Sequence, residues 1–260
     1  MLPLPKPVAP APPTFEPNPL GLPARRVELA VGTVVYAVPA AMLRGAKEGT
    51  AFQLRTTTVV GADQDWVIVD GGEDPDYPVH PSYLVVHRPG PRTPRLGLPV
   101  ITELAGQLRH GLVKSFSKNK VVVRFTDTSQ RFERAVDPDA LMAQTDGLHP
   151  GNYVAFDSGT DFEHLLLVAP LSEPAASSDR WLAVGYAGAS RVVATNKLSL
   201  IPVTYDPKVG TVVWAEHLGK LRRAAVTEVD KPGVFEVRFE RAGPPVRVGV
   251  GALLPPLVGR

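Results

Sequence analysis

The sequence predicts an all-β protein: four small barrels in tandem, preceded by a proline-rich flexible leader. Three observations predict it. Gly32-Thr-Val-Val-Tyr-Ala37 returns almost unchanged as Gly210-Thr-Val-Val-Trp-Ala215. Short runs rich in valine and threonine, bounded by glycine, proline and aspartate, fill the chain from Val27 onward and suit a pleated surface. Unit starts near 31, 97, 150 and 208 recur at roughly 50 to 65 residues, each spacing holding four or five short strands, the size of a small barrel whose closure hides its edges. A single large β sandwich without a true repeat is the competing architecture.

The leader covers residues 1–26. Prolines at 3, 5, 7, 10, 12, 13, 17, 19 and 23 fix φ and remove donors, so polyproline II or disorder is expected. It reads as a spacer, or as a ligand for a partner's aromatic groove. Barrel 1 is assigned to 27–88, with strands at Phe52–Val60 and Trp66–Val69 and a short, glycine-broken excursion at Ala40–Glu48. His87–Pro99 reads as a linker. Barrel 2 spans 97–143, barrel 3 spans 148–203 with strands opening at Tyr153, His164, Arg180 and Ser190, and barrel 4 spans 206–257. Barrels 2 and 4 overlay best: Val121-Val-Val-Arg-Phe125 falls on Phe235-Glu-Val-Arg-Phe239, while the preceding turns align with one residue slipped.

Composition removes several function classes. The 44% hydrophobic content is ordinary for a folding chain, and a net charge of +2 is too small to imply nucleic acid by itself. With no cysteine there are no disulfides, thiolate nucleophiles or cysteine zinc sites. The six histidines show no metal-ligand spacing, and Asp161, Glu163 and His164 lack a further ligand. No nucleophile elbow, P-loop or dinucleotide fingerprint occurs, so a non-enzyme without cofactors is expected. Proline interrupts every apolar stretch of the N-terminus and no run of about 18 apolar residues exists, so a soluble cytoplasmic protein without membrane contact is expected.

The recurring order of glycine, apolar strand ending in Ala, glycine turn, Leu221-Arg-Arg-Ala-Ala-Val226, Val-x-Phe and a terminal Leu-x-Pro resembles the Tudor family of small Src-homology-3-like barrels. Phe125-Thr-Asp-Thr-Ser-Gln130 is similar to that family's Phe-x-Asp turn, without its tyrosine and glycine. The resemblance implies binding without catalysis, of a peptide bearing methylated lysine or arginine or, in relatives, of nucleic acid. A methyl-ammonium needs a box of aromatic faces. At the corresponding positions unit four has Trp214, Leu221, Phe239 and Arg241 or Ala242, and unit two has Phe125, Leu108 and Thr128. Unit three offers Tyr153, Phe156 and Tyr186; unit one offers Tyr36, Phe52 and Trp66. Core packing is the main expectation for Tyr36, Phe52, Trp66, Trp181 and Phe239. The candidate ligand-binding residues are Tyr153, Tyr186, Phe156 and Trp66.

The expected function is therefore a scaffold holding peptide segments of a protein partner in grooves between adjacent barrels. A nucleic-acid binder is the first alternative, using Lys114, Lys118 and Lys120 in unit two and Lys220, Arg222 and Arg223 in unit four, where eight basic residues face five acidic ones. Lysines that merely solubilise a hairpin explain the same residues. A structural subunit of a larger assembly is the second alternative.

Overall fold

The computed structural model describes residues 18–63, 66–91, 93–126, 132–144, 147–230, 233–240 and 243–256. Nearly all regular structure is strand. In unit one, β1 (Val34–Ala37), β2 (Arg55–Asp63), β3 (Trp66–Val69), β4 (Tyr77–Val79) and β5 (Leu84–Val86) pair in the order β4-β3-β2-β1-β5. Unit two repeats it with β6 (Pro99–Leu104), β7 (Gln107–Ser117), β8 (Lys120–Phe125), β9 (Phe132–Val136) and β10 (Met142–Ala143). Unit three comprises β11 (Tyr153–Asp157), β12 (Phe162–Pro170), β13 (Arg180–Val184), β14 (Ser190–Ala194) and β15 (Leu198–Leu200). Unit four comprises β16 (Val212–His217), β17 (Lys220–Asp230), β18 (Val234–Phe239), β19 (Val246–Gly249) and β20 (Leu253–Leu254). All four share one order, fourth-third-second-first-fifth. The hydrogen-bonded path stays open between fourth and fifth strands, which a 3-10 turn joins in units one to three.

The second strand of every unit carries a β-bulge at the same place: Val59/Gly61, Val113/Ser115, Leu167/Ala169 and Val226/Glu228. An extra residue bends a long strand and sharpens its twist, which lets one strand serve both layers of a curled sheet. The bulge is the structural repeat that residue identities conceal.

Units three and four are joined through the first residues of their second strands, by the pairs Phe162↔Leu221 and Glu163↔Lys220. The strand β12 is buried along nearly its whole length. Leu165 and Leu167 enter unit three's own core with Trp181 and Val193, whereas Leu166 and Val168 enter a second, larger core. That second core draws on all four units, among them Tyr36 and Tyr83, Ile101 and Leu108, Leu182, and Leu221 and Leu254. Unit two keeps a small core of its own around Val123, and the core of unit four around Val237 also takes in Leu112 of unit two. Side chains alternate across a strand, so an uninterrupted apolar run such as Leu165-Leu-Leu-Val168 records burial on both faces.

Trp181 is fully buried and, among the described residues, its Nε1 has no hydrogen-bond partner. Trp181→Phe exchanges lost volume for removal of an unpaired N–H and is expected to cost under about 1.5 kcal/mol in urea denaturation, against about 3–5 kcal/mol for Trp181→Ala.

Two sequence expectations need correction. The flexible leader was expected to extend to residue 26, but from Asn18 the chain is laid on unit one. Asn18 exchanges hydrogen bonds with Leu22 (2.8 and 2.9 Å), Tyr83 Oη donates to Asn18 Oδ1 at 3.1 Å, and Leu22 is buried. One buried leucine outweighs the local preference of proline for open conformations. Residues 1–17 lie outside the described residues. The slipped alignment is also removed, because Ala105-Gly106 and Leu218-Gly219 are equivalent turn centres. Their φ values are 53° and 75°, and 51° and 81°, the double positive φ of a type I′ hairpin. The excursion between β1 and β2 holds one short helix, Ala40–Leu43, anchored by fully buried Leu43. Among the described residues no helix is long and apolar enough to cross a membrane, which leaves β-barrel spanning unaddressed.

Candidate binding site at the junction of the four units

The two type I′ hairpins converge, one from unit two and one from unit four. In each a glutamate three residues before the glycine accepts its N–H: Glu103 Oε1 from Gly106 at 3.3 Å, and Glu216 Oε1 from Gly219 at 2.7 Å. The excursion of unit one supplies a third wall. Its backbone is clamped to unit three by Phe52 N–H to Gly188 O (2.9 Å) and Gly49 N–H to Ser190 O (2.7 Å), and to unit two by Leu54 N–H to Gly106 O (2.9 Å). Unit three closes the back with Tyr153 and His164 and the rim with the Gly185–Ala187 turn.

These walls enclose a cavity of about 650 Å³, in the range of small-ligand pockets. Apolar surface comes from Phe52, Leu54, Leu166 and Val184; polar groups come from Gln107, Arg109, Glu216 and His217. Arg109 donates to Gln107 Oε1 and both project from β7. At the rim Tyr186 and Leu218 are 60% and 61% exposed, an unusual state for large apolar side chains beside a concavity. The cavity therefore offers an apolar lining with one guanidinium and one carboxylate facing it.

The back wall is an aromatic stack. Tyr153 lies parallel to His164 with ring centroids 4.5 Å apart, and His110 meets Tyr153 at right angles at 5.0 Å. Tyr153 Oη donates to Leu108 O (3.1 Å), and His164 Nε2–H donates to Gly251 O (2.7 Å). Burial pushes His110 down to about 3, with His164 and Arg109 adding and a backbone hydrogen bond with Gly151 opposing. Burial also lowers His164, with Arg109 adding, against the Gly251 carbonyl and Glu216. Both rings are neutral at physiological pH.

The candidate residues named from sequence are divided by the structure. Tyr153 and Tyr186 come together on this cavity, one in its back wall and one on its rim. Phe156 sits beside unit three's own core with the Arg191 guanidinium 6.0 Å from its ring, and Trp66 packs against His80 (5.6 Å); neither lines the cavity. Arg241, Ala242 and Thr128 lie outside the described residues. Arg109, Gln107, Glu216 and His164 were missed as site residues, and Phe52, offered as a possible ring of unit one, was expected chiefly in the core. The duplicated Glu-x-x-Gly at Glu103 and Glu216 was the sequence signal for the hairpins.

No family model matches the chain, and no curated protein matches it. Among solved structures it is similar to the four MBT repeats of Drosophila melanogaster Sfmbt, crystallised with the peptide RHR (me)K VLR. The identity is 10%, the match covers 87% of this chain and 88% of that chain, and the TM-score is 0.20. At that score no residue correspondence is carried over.

The basic residues named for nucleic acid are largely engaged. Lys114 pairs with Glu133 (2.6 Å), Lys120 with Asp137, Lys220 with Asp161 and Arg223 with Glu240 (3.1 Å). Lys118 occupies the β7–β8 turn with φ 54°, and Arg222 is exposed on β17. Pairing with neighbouring carboxylates, within a unit for Lys114, Lys120 and Arg223 and across to unit three for Lys220, accounts for most of the set, and surface pairs of this kind add little stability.

Proposed function

We propose that the chain is a non-catalytic scaffold that takes an extended peptide segment of a protein partner into the cavity where its four units meet. One observation carries this reading: a 650 Å³ cavity with two large, exposed apolar side chains, Tyr186 and Leu218, at its mouth. Exposed aromatic anchors beside a pocket dominate binding energy at protein interfaces. The apolar lining with a few converging polar groups suits a side chain inserted from a peptide backbone running across the rim.

Selection from a random peptide library, followed by fluorescence anisotropy of the selected peptides, tests it. Tyr186→Ala is expected to weaken binding about 10- to 100-fold while leaving thermal stability within about 0.5 kcal/mol, because the side chain is mostly in solvent. Peptides that bind Tyr186→Ala and Leu218→Ala as tightly as the unmodified chain would sink the reading. The nucleic-acid alternative expects single-stranded DNA to bind with an affinity that falls steeply with salt and with loss of Lys114 and Lys220. Four of its six residues already hold a carboxylate partner, so the cavity is the better-supported site.

A further inference from the structure

The back wall of the cavity is built from groups that are costly to charge, and they sit where three units touch. His110 comes from β7 of unit two, Tyr153 and His164 from β11 and β12 of unit three, and Gly251 from the β19–β20 turn of unit four. His110 and His164 are 1% and 7% exposed. Both contact the same tyrosine ring.

We propose that the His110–Tyr153–His164 stack is a proton-operated latch: protonation loosens unit three from unit four at the junction beside it and opens the back wall of the cavity. This rests on the cavity being the binding site, whose occupancy the latch would then control.

Three features carry it. First, two imidazolium ions on one tyrosine would repel each other and the Arg109 guanidinium, which already disfavours charge on both rings. A cation–π contact with Tyr153 offsets part of this for one imidazolium but does nothing for the repulsion between two. Second, Glu216 is the carboxylate acting on His164, and one of its oxygens is committed to the Gly219 N–H, so it balances one charge at most. Third, the cores of units two, three and four consist of aliphatic and aromatic side chains. Those cores have no reason to respond to pH, so charge at the stack acts on the junction. There unit three meets unit four through two residue pairs, the bond from His164 N–H to Gly219 O at 2.9 Å, the Phe162–Trp214 ring contact and the Lys220–Asp161 ion pair. The Lys220 ammonium holds the Asp161 carboxyl below its ordinary range, so that pair stays charged while the stack titrates.

The direction follows from linkage. Both histidines bind protons less well when the junction is closed than the ordinary 6.5 of an open one. The closed form is therefore fully favoured above pH 6.5 and loses ground as pH falls below it, toward 3 for His110. Each proton taken up shifts the equilibrium about tenfold per pH unit, so one to two protons give about 10- to 100-fold per unit.

Amide hydrogen exchange of the full chain, corrected for intrinsic rates and followed from pH 7.5 to 4.5, tests this without any ligand. A failed peptide-binding reading would therefore leave the result interpretable. The expected result is progressive loss of protection at the His164 amide and along the β12–β17 contact, while the β13–β14 amides around Trp181 keep theirs. In a His110→Gln/His164→Gln chain, whose amides do not titrate, junction protection should not change over this range. Should that variant fail to fold, ring titrations of the unmodified chain by NMR decide: depressed values for both rings support the latch. It is overturned by rings titrating at their ordinary value, by junction protection unchanged down to pH 4.5, by junction and β13–β14 amides failing together, or by a folded double variant that tracks the unmodified chain.

Discussion

Gly249→Ala is expected to cost at least about 3 kcal/mol and to loosen unit four from unit two. A methyl group at this position would stand 1.8 Å from the Thr126 carbonyl oxygen and 2.5 Å from its carbon. Both obstacles are backbone, so no side-chain rotation relieves them. Neither strand yields easily: Gly249 pairs with Val234 in the β18–β19 ladder, and Thr126 N–H is bonded to His110 O at 3.0 Å. Over-packing inside a core usually costs about 1–3 kcal/mol because side chains move aside, and a clash between two ladders exceeds that range. Urea denaturation monitored by near- and far-ultraviolet circular dichroism checks it. A variant within about 0.5 kcal/mol of the unmodified chain would show that units two and four do not dock in this way. Because Thr126 carries the hydrogen bond to His110, the same substitution should also disturb the aromatic back wall.

The second large effect is expected at Gly188. Its φ of 85° lies in the left-handed region, and an added methyl would meet Phe52 O at 2.7 Å and Phe52 N at 3.1 Å. An alanine there carries about 1 kcal/mol of backbone strain before any clash is counted. The clash falls on the bond from Phe52 N–H to Gly188 O that clamps the excursion of unit one to unit three. We expect Gly188→Ala to lose about 2–4 kcal/mol of stability and to weaken peptide binding more than tenfold, since Phe52 and Tyr186, which both line the cavity, would no longer be held by the clamp. The comparison with Tyr186→Ala separates the two causes. Removing the tyrosine should affect binding alone; forcing the clamp apart should affect both. Equal stability of Gly188→Ala and the unmodified chain would contradict the clamp.

Much of the architecture was legible because it is local. Alternating apolar residues in Val121–Phe125 place Val121, Val123 and Phe125 inside, a period-two pattern that any reader of the chain can see. The glycines marked the Ala105-Gly106 and Leu218-Gly219 turns, but their register was not legible, because Ala105 and Leu218 take a positive φ that neither side chain announces. Nor was the shared bulge, because Gly61, Ser115, Ala169 and Glu228 have no chemistry in common and the extra residue is a relation between two strands. Site residues divided on similar lines. Tyr186 was visible as an aromatic beside a glycine turn, whereas Arg109 looked like any strand arginine. Tyr153 was named as a candidate ligand-binding residue, but its place between two histidines was not legible, because the neighbours that bury it come from β7 and β12.

By itself the sequence determined an all-β chain of four like units, the exclusion of cysteine chemistry, and several of the strands and glycine turns within the units. These follow from short-range rules: side chains alternate along a strand, and glycine opens backbone regions closed to other residues. Only the tertiary structure decided that the four units share a further, larger core beside the small cores that units two, three and four keep, and that their tips enclose a cavity. The Tyr153 hydroxyl reaches Leu108 across 45 residues, and His164 reaches Gly251 across 87. Contacts at that separation leave no periodicity in the chain, because they depend on how finished sheets fit together.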